Sequence, residues 1–377
     1  MFQELKPNEF RKALPLFQGF DYSLSILAAI EGNNPGRIFV DDINLPRTAF
    51  GLTVEGYLLA GEHDNPATNE ALIQFFSEKI FTGQVFVNGD ESMSLAVYPQ
   101  TWETRLPELI PMYEIEKNRR YYYQCRKVKF DWRKAIPEGY QVCRVDQDLL
   151  NDPKIVFPDV IRDWFDIEEM WWRVDNFLSK GVSYCVLRGQ EVVAWCTPDC
   201  VAGKRIDVGI ITHPEHRQRG LASLAVAATV DHCLNQGFAA IGWHCNAENV
   251  SSWKTAEKVG FERKSEYFYY YYMYDPIDHL AEMGWYHYRH REYDQTVKYY
   301  EWVFAQREQN PDYYYHLTAS AWALLGNKQQ ALKYLHAAVE HGWAEAGWTK
   351  GQEEFEFLHS DPEWETILRQ MESLAKD

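Results

Sequence analysis

The stretch that decides the fold reads Ile210-Ile211-Thr212-His213-Pro214-Glu215-His216-Arg217-Gln218-Arg219-Gly220-Leu221-Ala222. The alternation from Arg205 to Thr212 predicts a strand. The chain then enters a short basic loop and turns into a helix, predicted over Leu221 to Asn235 and closed by Gly237. The first turn of a helix carries unpaired N–H groups and a partial positive charge, so this turn is an anion site. Gly220 has no side chain and lets a phosphate approach the backbone. Arg217 and Arg219 add charge, and Ala222 and Ser223 leave room at the next turn.

Outward from this loop, strands and helices alternate. Ser183 to Leu187 and Glu191 to Trp195 read as a hairpin around Arg188-Gly189-Gln190. Phe238 to His244 reads as the strand after the helix, and Ser251 to Val259 as a second helix stopped by Gly260. Phe268 to Tyr274 is a tyrosine-rich final strand. Such alternation implies α/β packing.

Two blocks carry a resemblance. The first is Arg217, two residues, Gly220, one residue, Ala222. The second is Asn249-Val250-Ser251-Ser252-Trp253-Lys254-Thr255-Ala256-Glu257-Lys258-Val259-Gly260-Phe261, in which an asparagine begins a helix that ends in Lys-x-Gly-Phe. Together they resemble the GNAT superfamily of N-acetyltransferases. The resemblance implies an α/β (α+β) fold with a central mixed, mostly antiparallel twisted sheet flanked by helices. It also implies acetyl-CoA as co-substrate. In its terms the N–H groups of Gln218, Arg219, Gly220, Leu221 and Ala222, with Arg217, cradle the pyrophosphate, and Ile210, Ile211 and Thr212 pair with the pantetheine arm. Asn249 and Ser252 contact the same arm. One position departs from the family: many members place a general-acid tyrosine where this chain has Ala256. The pattern from Trp243-His244-Cys245 to Phe261, with Arg37 to Asp42 and Tyr57 to Gly61 upstream, is similar to the zwittermicin-resistance type of GNAT protein.

The expected chemistry is direct attack of a primary amine on the thioester, with a base for the ammonium proton and an acid for the thiolate. Backbone N–H groups near Ile210 would stabilise the oxyanion. Asp207, on the strand that leads to the loop, is the first base candidate; a solvated or salt-bridged strand residue is the plain alternative. His244 ends the next strand, and imidazole suits proton transfer near neutral pH; a hydrogen-bonded histidine near the sheet edge is the alternative. His213 and His216 read as loop histidines, and Glu248 as a charge favouring a helix N-terminus. The tyrosines from Tyr267 to Tyr272 alternate across a strand, so about half face the core; one of them is a candidate to replace the missing acid.

The flanks complete a three-part organisation: residues 1–130, 131–276 and 277–377. The first part reads as strands over Arg37 to Asp42 and Ala49 to Ala60 joined at Asn44-Leu45-Pro46, a helix over Ala67 to Ile80, and short strands at Gln84 to Val87 and Ser94 to Tyr98. It has no glycine-rich loop, and by the resemblance it is a degenerate GNAT-like half without its own coenzyme site. Arg119 to Lys127 reads as a strand with one solvated face. The third part is helical and repetitive. Arg291 to Tyr300 aligns with Gly326 to Leu335, Thr296 falling on Ala331 and Tyr300 on Leu335. The offset of about 35 residues resembles tetratricopeptide repeats. A last helix pair is expected around Asp361-Pro362.

Composition sets outer bounds. The chain is 46% hydrophobic and carries a net charge of −17, which disfavours nucleic acid and acidic membrane surfaces as partners. No stretch approaches the roughly 20 apolar residues of a membrane span. Met1 to Phe10 shows no secretory pattern, so a cytoplasmic location is expected. The seven cysteines, Cys196 and Cys200 included, form no metal-ligand spacing, so they read as reduced core residues and no metal is expected. The expected partners are a small-molecule amine acceptor and, through the repeats, a protein. A coenzyme-A-binding scaffold without catalysis and a protein N-acetyltransferase are the competing readings.

Overall fold

The computed structural model describes residues 2–85, 91–111 and 113–375. They form two compact units, Met1–Pro111 with Lys117–Tyr271, and Met112–Glu116 with Tyr272–Asp377.

The first unit is built on one sheet. Its strands are β1 (Gln3–Glu4), β2 (Gly36–Val40), β3 (Thr48–Thr53), β4 (Gly56–Gly61), β5 (Ser92–Tyr98), β6 (Glu116–Cys125), β7 (Tyr140–Arg144), β8 (Tyr184–Arg188), β9 (Glu191–Ala202), β10 (Arg205–Thr212), β11 (Ala240–Asn246) and β12 (Glu262–Met273). Their order is β1-β2-β3-β4-β5-β12-β6-β11-β10-β9-β8-β7. β2, β3 and β4 are antiparallel neighbours, and β4 runs parallel to β5 with Tyr57 opposite Leu95. β8, β9 and β10 repeat this pattern, and β10 runs parallel to β11 with Asp207 opposite Gly242. Helix Pro66–Phe75 links the first parallel pair and helix Leu221–Asn235 the second. The sheet is thus two copies of one arrangement with their last strands exchanged. β6 leaves the first copy to pair with β11, Cys125 opposite Ile241, and β12 lies beside β5.

Helix Leu221–Asn235 is apolar nearly all round, and Leu224, Ala225, Val226, Ala227 and Ala228 are all buried. It is therefore a core helix. It packs with Val192, Val193, Ile206 and Ile241 of the sheet. Each such aliphatic side chain stabilises the fold by about 1.5–3 kcal/mol through burial.

The expected strand over Ala49 to Ala60 is instead the β3–β4 hairpin, turning at Val54-Glu55. Gly56 explains the break: its φ is +137°, and a Cβ there would meet the Ser94 carbonyl oxygen at 2.9 Å. The helix expected over Ala67 to Ile80 ends at Phe75 and continues as a wider π-type turn, Phe76–Ile80. Gln84 and Val85 are not in a strand, and the rest of that expected strand, Phe86 and Val87, lies outside the described residues. The final strand begins at Glu262 rather than Phe268.

The second unit is helical: Pro276–Arg289, Tyr293–Gln306, Asp312–Leu324, Lys328–Glu340, Ala346–Lys350 and Pro362–Leu374, with a 3-10 turn at Glu353–Leu358. The first four pack in sequence, each on the next. Thr296, Ala331, Tyr300 and Leu335, the residues that the repeat aligns, are all buried. Gly284 allows close helix contact, because a Cβ there would press on the Tyr300 ring at 2.8 Å. Among the described residues, no helix is long and apolar enough to cross a membrane.

Candidate active site

β10 and β11 pair only from Arg205 to Asp207, opposite Ala240 to Gly242. β10 nevertheless stays with β9 as far as Thr212, with a register break between Asp207 and Val208. From Val208 onward its other edge has left β11, which opens a wedge in the sheet. A cavity of about 620 Å³ lies against this wedge, walled there by Val208, Gly209, Ile210, Trp243, His244 and Ser252.

At the wedge, three side chains form a hydrogen-bonded line. His244 Nε2 lies 3.4 Å from Asp207 Oδ2, and its Nδ1 lies 3.0 Å from the Tyr267 hydroxyl. Tyr122 stacks on the imidazole at 4.8 Å, and Tyr22 stacks on Tyr267 at 3.9 Å. Asp207 is 1% exposed, so it is not a solvated strand residue. Burial pushes its carboxyl up to about 7, against the pull of Arg205 and of the Leu24 and Gly242 backbone. Burial pushes His244 down to about 4, so the ring is neutral at pH 7. A neutral imidazole has one donor and one acceptor nitrogen. The arrangement that satisfies both contacts has Tyr267 O–H donating to Nδ1 and Nε2–H donating to Asp207. Of the tyrosines of β12, Tyr267 and Tyr269 line the cavity and Tyr267 is the one that contacts His244; Tyr270 and Tyr272 are fully buried.

The cavity wall is acidic and aromatic. Glu55, Asp163, Asp166, Glu169 and Asp199 face it, together with the guanidinium of Arg120. Trp164 and Asp199 press on the strand at Gly209, where a Cβ would lie 2.9 Å from each. None of Glu55, Tyr22, Arg120, Asp199 or Trp164 was signalled by sequence; Asp199 comes from the neighbouring strand β9, and the others reach the wedge from elements farther away in the chain.

The loop from His213 to Gly220 joins β10 to the helix that starts at Leu221. Gln218 and Gly220 have φ of +61° and +78°, and no side chain caps the helix that starts at Leu221. The nearest heavy atom to a Cβ at Gly220 is Lys258 Nζ, at 3.7 Å. Lys258 is a basic neighbour of the loop that went unremarked in sequence, although it stands in the Lys-x-Gly-Phe of the second block. Arg217 is exposed and donates to the Thr212 carbonyl at 3.3 Å. Arg219 donates to the Tyr140 hydroxyl at 2.9 Å, which in turn lies 3.2 Å from Nδ1 of the buried His216. Ile211 and Thr212 are partly exposed and Leu221 is buried. Asn249 Oδ1 accepts from Ser252 N–H and Ser251 O–H, so it caps the second helix. Ser252 Oγ accepts from Trp243 Nε1 at 3.2 Å and faces the cavity. Ala256 is fully buried in the core.

The corresponding helix of the first copy is different. Asn65 accepts from the N–H groups of Ala67 and Thr68, and Glu62 and Asp64 precede it. Its anion-binding end is already capped and is negatively flanked.

Among the described residues, two groups bring possible metal-ligand atoms within 4.8 Å: His213, Glu215 and His216, and Glu55, Cys200 and Asp207. Burial raises the Cys200 thiol well above its ordinary range, which opposes the thiolate a metal takes.

A family model described as GNAT acetyltransferase matches residues 14–270. An uncharacterized N-acetyltransferase of Bacillus subtilis (strain 168), YdfB, is 25% identical over 272 residues, which is 72% of this chain and 98% of that protein. The crystal structure of a GCN5-related N-acetyltransferase-like protein from Streptococcus suis aligns with a TM-score of 0.51 and 23% identity, covering 70% of this chain and 97% of that one. A tandem GNAT protein from the clavulanic acid biosynthesis pathway aligns with a TM-score of 0.50 and 11% identity, covering 73% and 99%. These two likenesses show the fold, and the family match spans both copies of the arrangement as well as the wedge. The chain belongs to the GNAT acetyltransferase family.

Proposed function

We propose that this N-acetyltransferase uses acetyl-CoA to acetylate a primary amine of a small cationic molecule, by direct attack on the thioester. The observation that carries this is the cavity: the carboxylates of Asp163, Asp166 and Glu169 and several aromatic rings line it, and His244, in contact with the buried Asp207, faces it where β10 and β11 part. Acidic and aromatic walls attract a cation by charge and by the ring faces.

The N–H groups of Gln218 to Ala222, with Arg217 and Lys258, would hold the pyrophosphate, since the loop is open, uncapped and basic. The free edge of β10 at Ile210, Ile211 and Thr212 would take the pantetheine arm, with Ser252 beside it. Asn249 serves it by fixing the helix that carries Ser252. Asp207 would accept the amine's proton, and His244 with Tyr267 holds it in place. A group that titrates near the working pH is suited to that task. A scaffold has no use for a buried carboxylate at an open wedge, which costs stability. We group the chain with the zwittermicin-resistance type on its Trp243 to Phe261 pattern, place it in the cytoplasm, and read the helical unit as tetratricopeptide-like and open to a protein partner.

A screen of primary amines with acetyl-CoA, read by thiol release, tests this. Turnover of small cationic amines, abolished by Asp207→Asn, is expected. Turnover of neutral or acidic amines alone would contradict it.

A further inference from the structure

The first copy of the arrangement carries no anion loop, yet it delivers one side chain to the centre of the wedge. Glu55 stands in the β3–β4 turn, held there by Gly56, whose backbone packs on the Ser94 carbonyl. Its carboxyl, the Asp207 carboxyl and the Cys200 thiol have atoms within 4.8 Å of one another. Glu55 also lines the cavity. Two carboxyls this close do not both ionise readily; between their two titrations the pair holds one proton. One member is then a base and the other an acid. This chain needs such an acid, because Ala256 stands where many relatives of the family carry a phenol and is itself sealed in the core.

We infer that Glu55, supplied by the first copy, is the acid that protonates the departing sulfur, paired with Asp207 as the base that takes the amine's proton. The inference rests on the transferase reading above. The ammonium gives one proton to Asp207. Its nitrogen forms the bond to the acyl carbon, the carbon–sulfur bond breaks, and sulfur takes the Glu55 proton. Glu55 recovers a proton from Asp207, and the second nitrogen proton leaves to solvent. Ammonium and thioester thus become amide, thiol and one released proton.

The surroundings favour a protonated Glu55. Burial raises its carboxyl, and the Asp207 charge raises it further; His244, Arg120 and the Ser25 hydroxyl pull the other way. Asp199, raised well above its ordinary range by burial, feels Glu55 in turn, as do Cys200 and Tyr267. The Asp207 charge thus favours keeping the proton on Glu55.

The test is leaving-group rescue. Wild type, Glu55→Gln and Asp207→Asn are compared with acetyl-CoA and with an aryl thioester of acetate, whose thiolate departs without protonation. Acetyl-CoA affinity is measured alongside by calorimetry. Glu55→Gln is expected to lose about 100-fold in turnover with acetyl-CoA, to keep its acetyl-CoA affinity, and to lose less than about tenfold with the aryl thioester. Asp207→Asn is expected to lose rate equally with both. Wild-type turnover in Glu55→Gln, or equal losses with both thioesters, would overturn the inference and leave the transferase reading standing. A wild-type protein that binds no acetyl-CoA would overturn that reading, and this inference with it.

Discussion

The Asp207 carboxylate occupies the space that a side chain at Gly242 would need. The two residues are opposite each other on parallel strands, and a Cβ built on Gly242 collides with Oδ1 of Asp207. A missing side chain on β11 therefore makes the pocket that buries the carboxylate on β10. Gly242→Ala should push Asp207 out of that pocket at a cost of about 1–3 kcal/mol. The variant should unfold at a lower urea concentration and acetylate more slowly, while its acetyl-CoA affinity stays unchanged. Calorimetry beside a urea titration checks both.

Asp207 and His244 oppose each other in the pH dependence of stability. His244 is lowered to about 4 in the fold from an unfolded value of about 6.5, so between these the unfolded chain binds the extra proton and stability rises with pH. Asp207 is raised to about 7 from about 3.9, so over that window the folded chain binds the extra proton and stability falls as pH rises. The two slopes largely cancel. Asp207→Asn removes the falling slope and should make the protein lose stability on acidification from 6.5 towards 4. His244→Asn should do the reverse. Each difference from wild type should approach about 1.4 kcal/mol per pH unit, read from urea midpoints.

Tyr267→Phe keeps the ring and its stacking on Tyr22 but removes the hydrogen bond to His244. The expected result is a fall in kcat of about tenfold, a loss of about 1.4 kcal/mol, with KM for acetyl-CoA unchanged. Steady-state kinetics check it.

Asn65→Ala uncaps the helix in the first copy that corresponds to the anion-loop helix in the second. It should cost about 1 kcal/mol of stability. Acetyl-CoA affinity and a stoichiometry of one per chain should not change, because the acidic residues Glu62 and Asp64 ahead of that helix oppose a pyrophosphate there. Denaturation and calorimetry on the same preparation decide it.

Legibility in the sequence followed the range of the interactions. β10 and helix Leu221–Asn235 have the bounds their local pattern predicts, because strand alternation, a glycine turn and an apolar helix are local signals. The hairpin turn at Val54-Glu55 was masked by apolar residues on both sides and shows only through Gly56. The short helices at Gln147–Asn151, Asp159–Arg162, Ile167–Trp171 and Val174–Lys180 are too brief to leave a periodic pattern. The exchange of β6 and β12 depends on pairing between distant segments, which no local pattern encodes. Asp207, on the strand leading to the loop, and His244, at the expected end of the next strand, stood out singly as titratable residues, but their contact needs two strands in register. Glu55 comes from the β3–β4 turn and Arg120 from β6, so only the assembled sheet shows what they face.

The central claim is that the loop at Gly220 holds the pyrophosphate of acetyl-CoA. Calorimetric titration with acetyl-CoA tests it most directly, on wild type, Gly220→Glu and Lys258→Glu. Gly220 sits at a φ of +78°, so circular dichroism must show that its variant is folded; Lys258 is exposed and carries no such strain. The account predicts one site in wild type, binding weakened at least about 100-fold by Gly220→Glu and about tenfold by Lys258→Glu, as expected for negative charge placed beside bound phosphate. A folded wild type that binds no acetyl-CoA, or variants that bind it as wild type does, would contradict it.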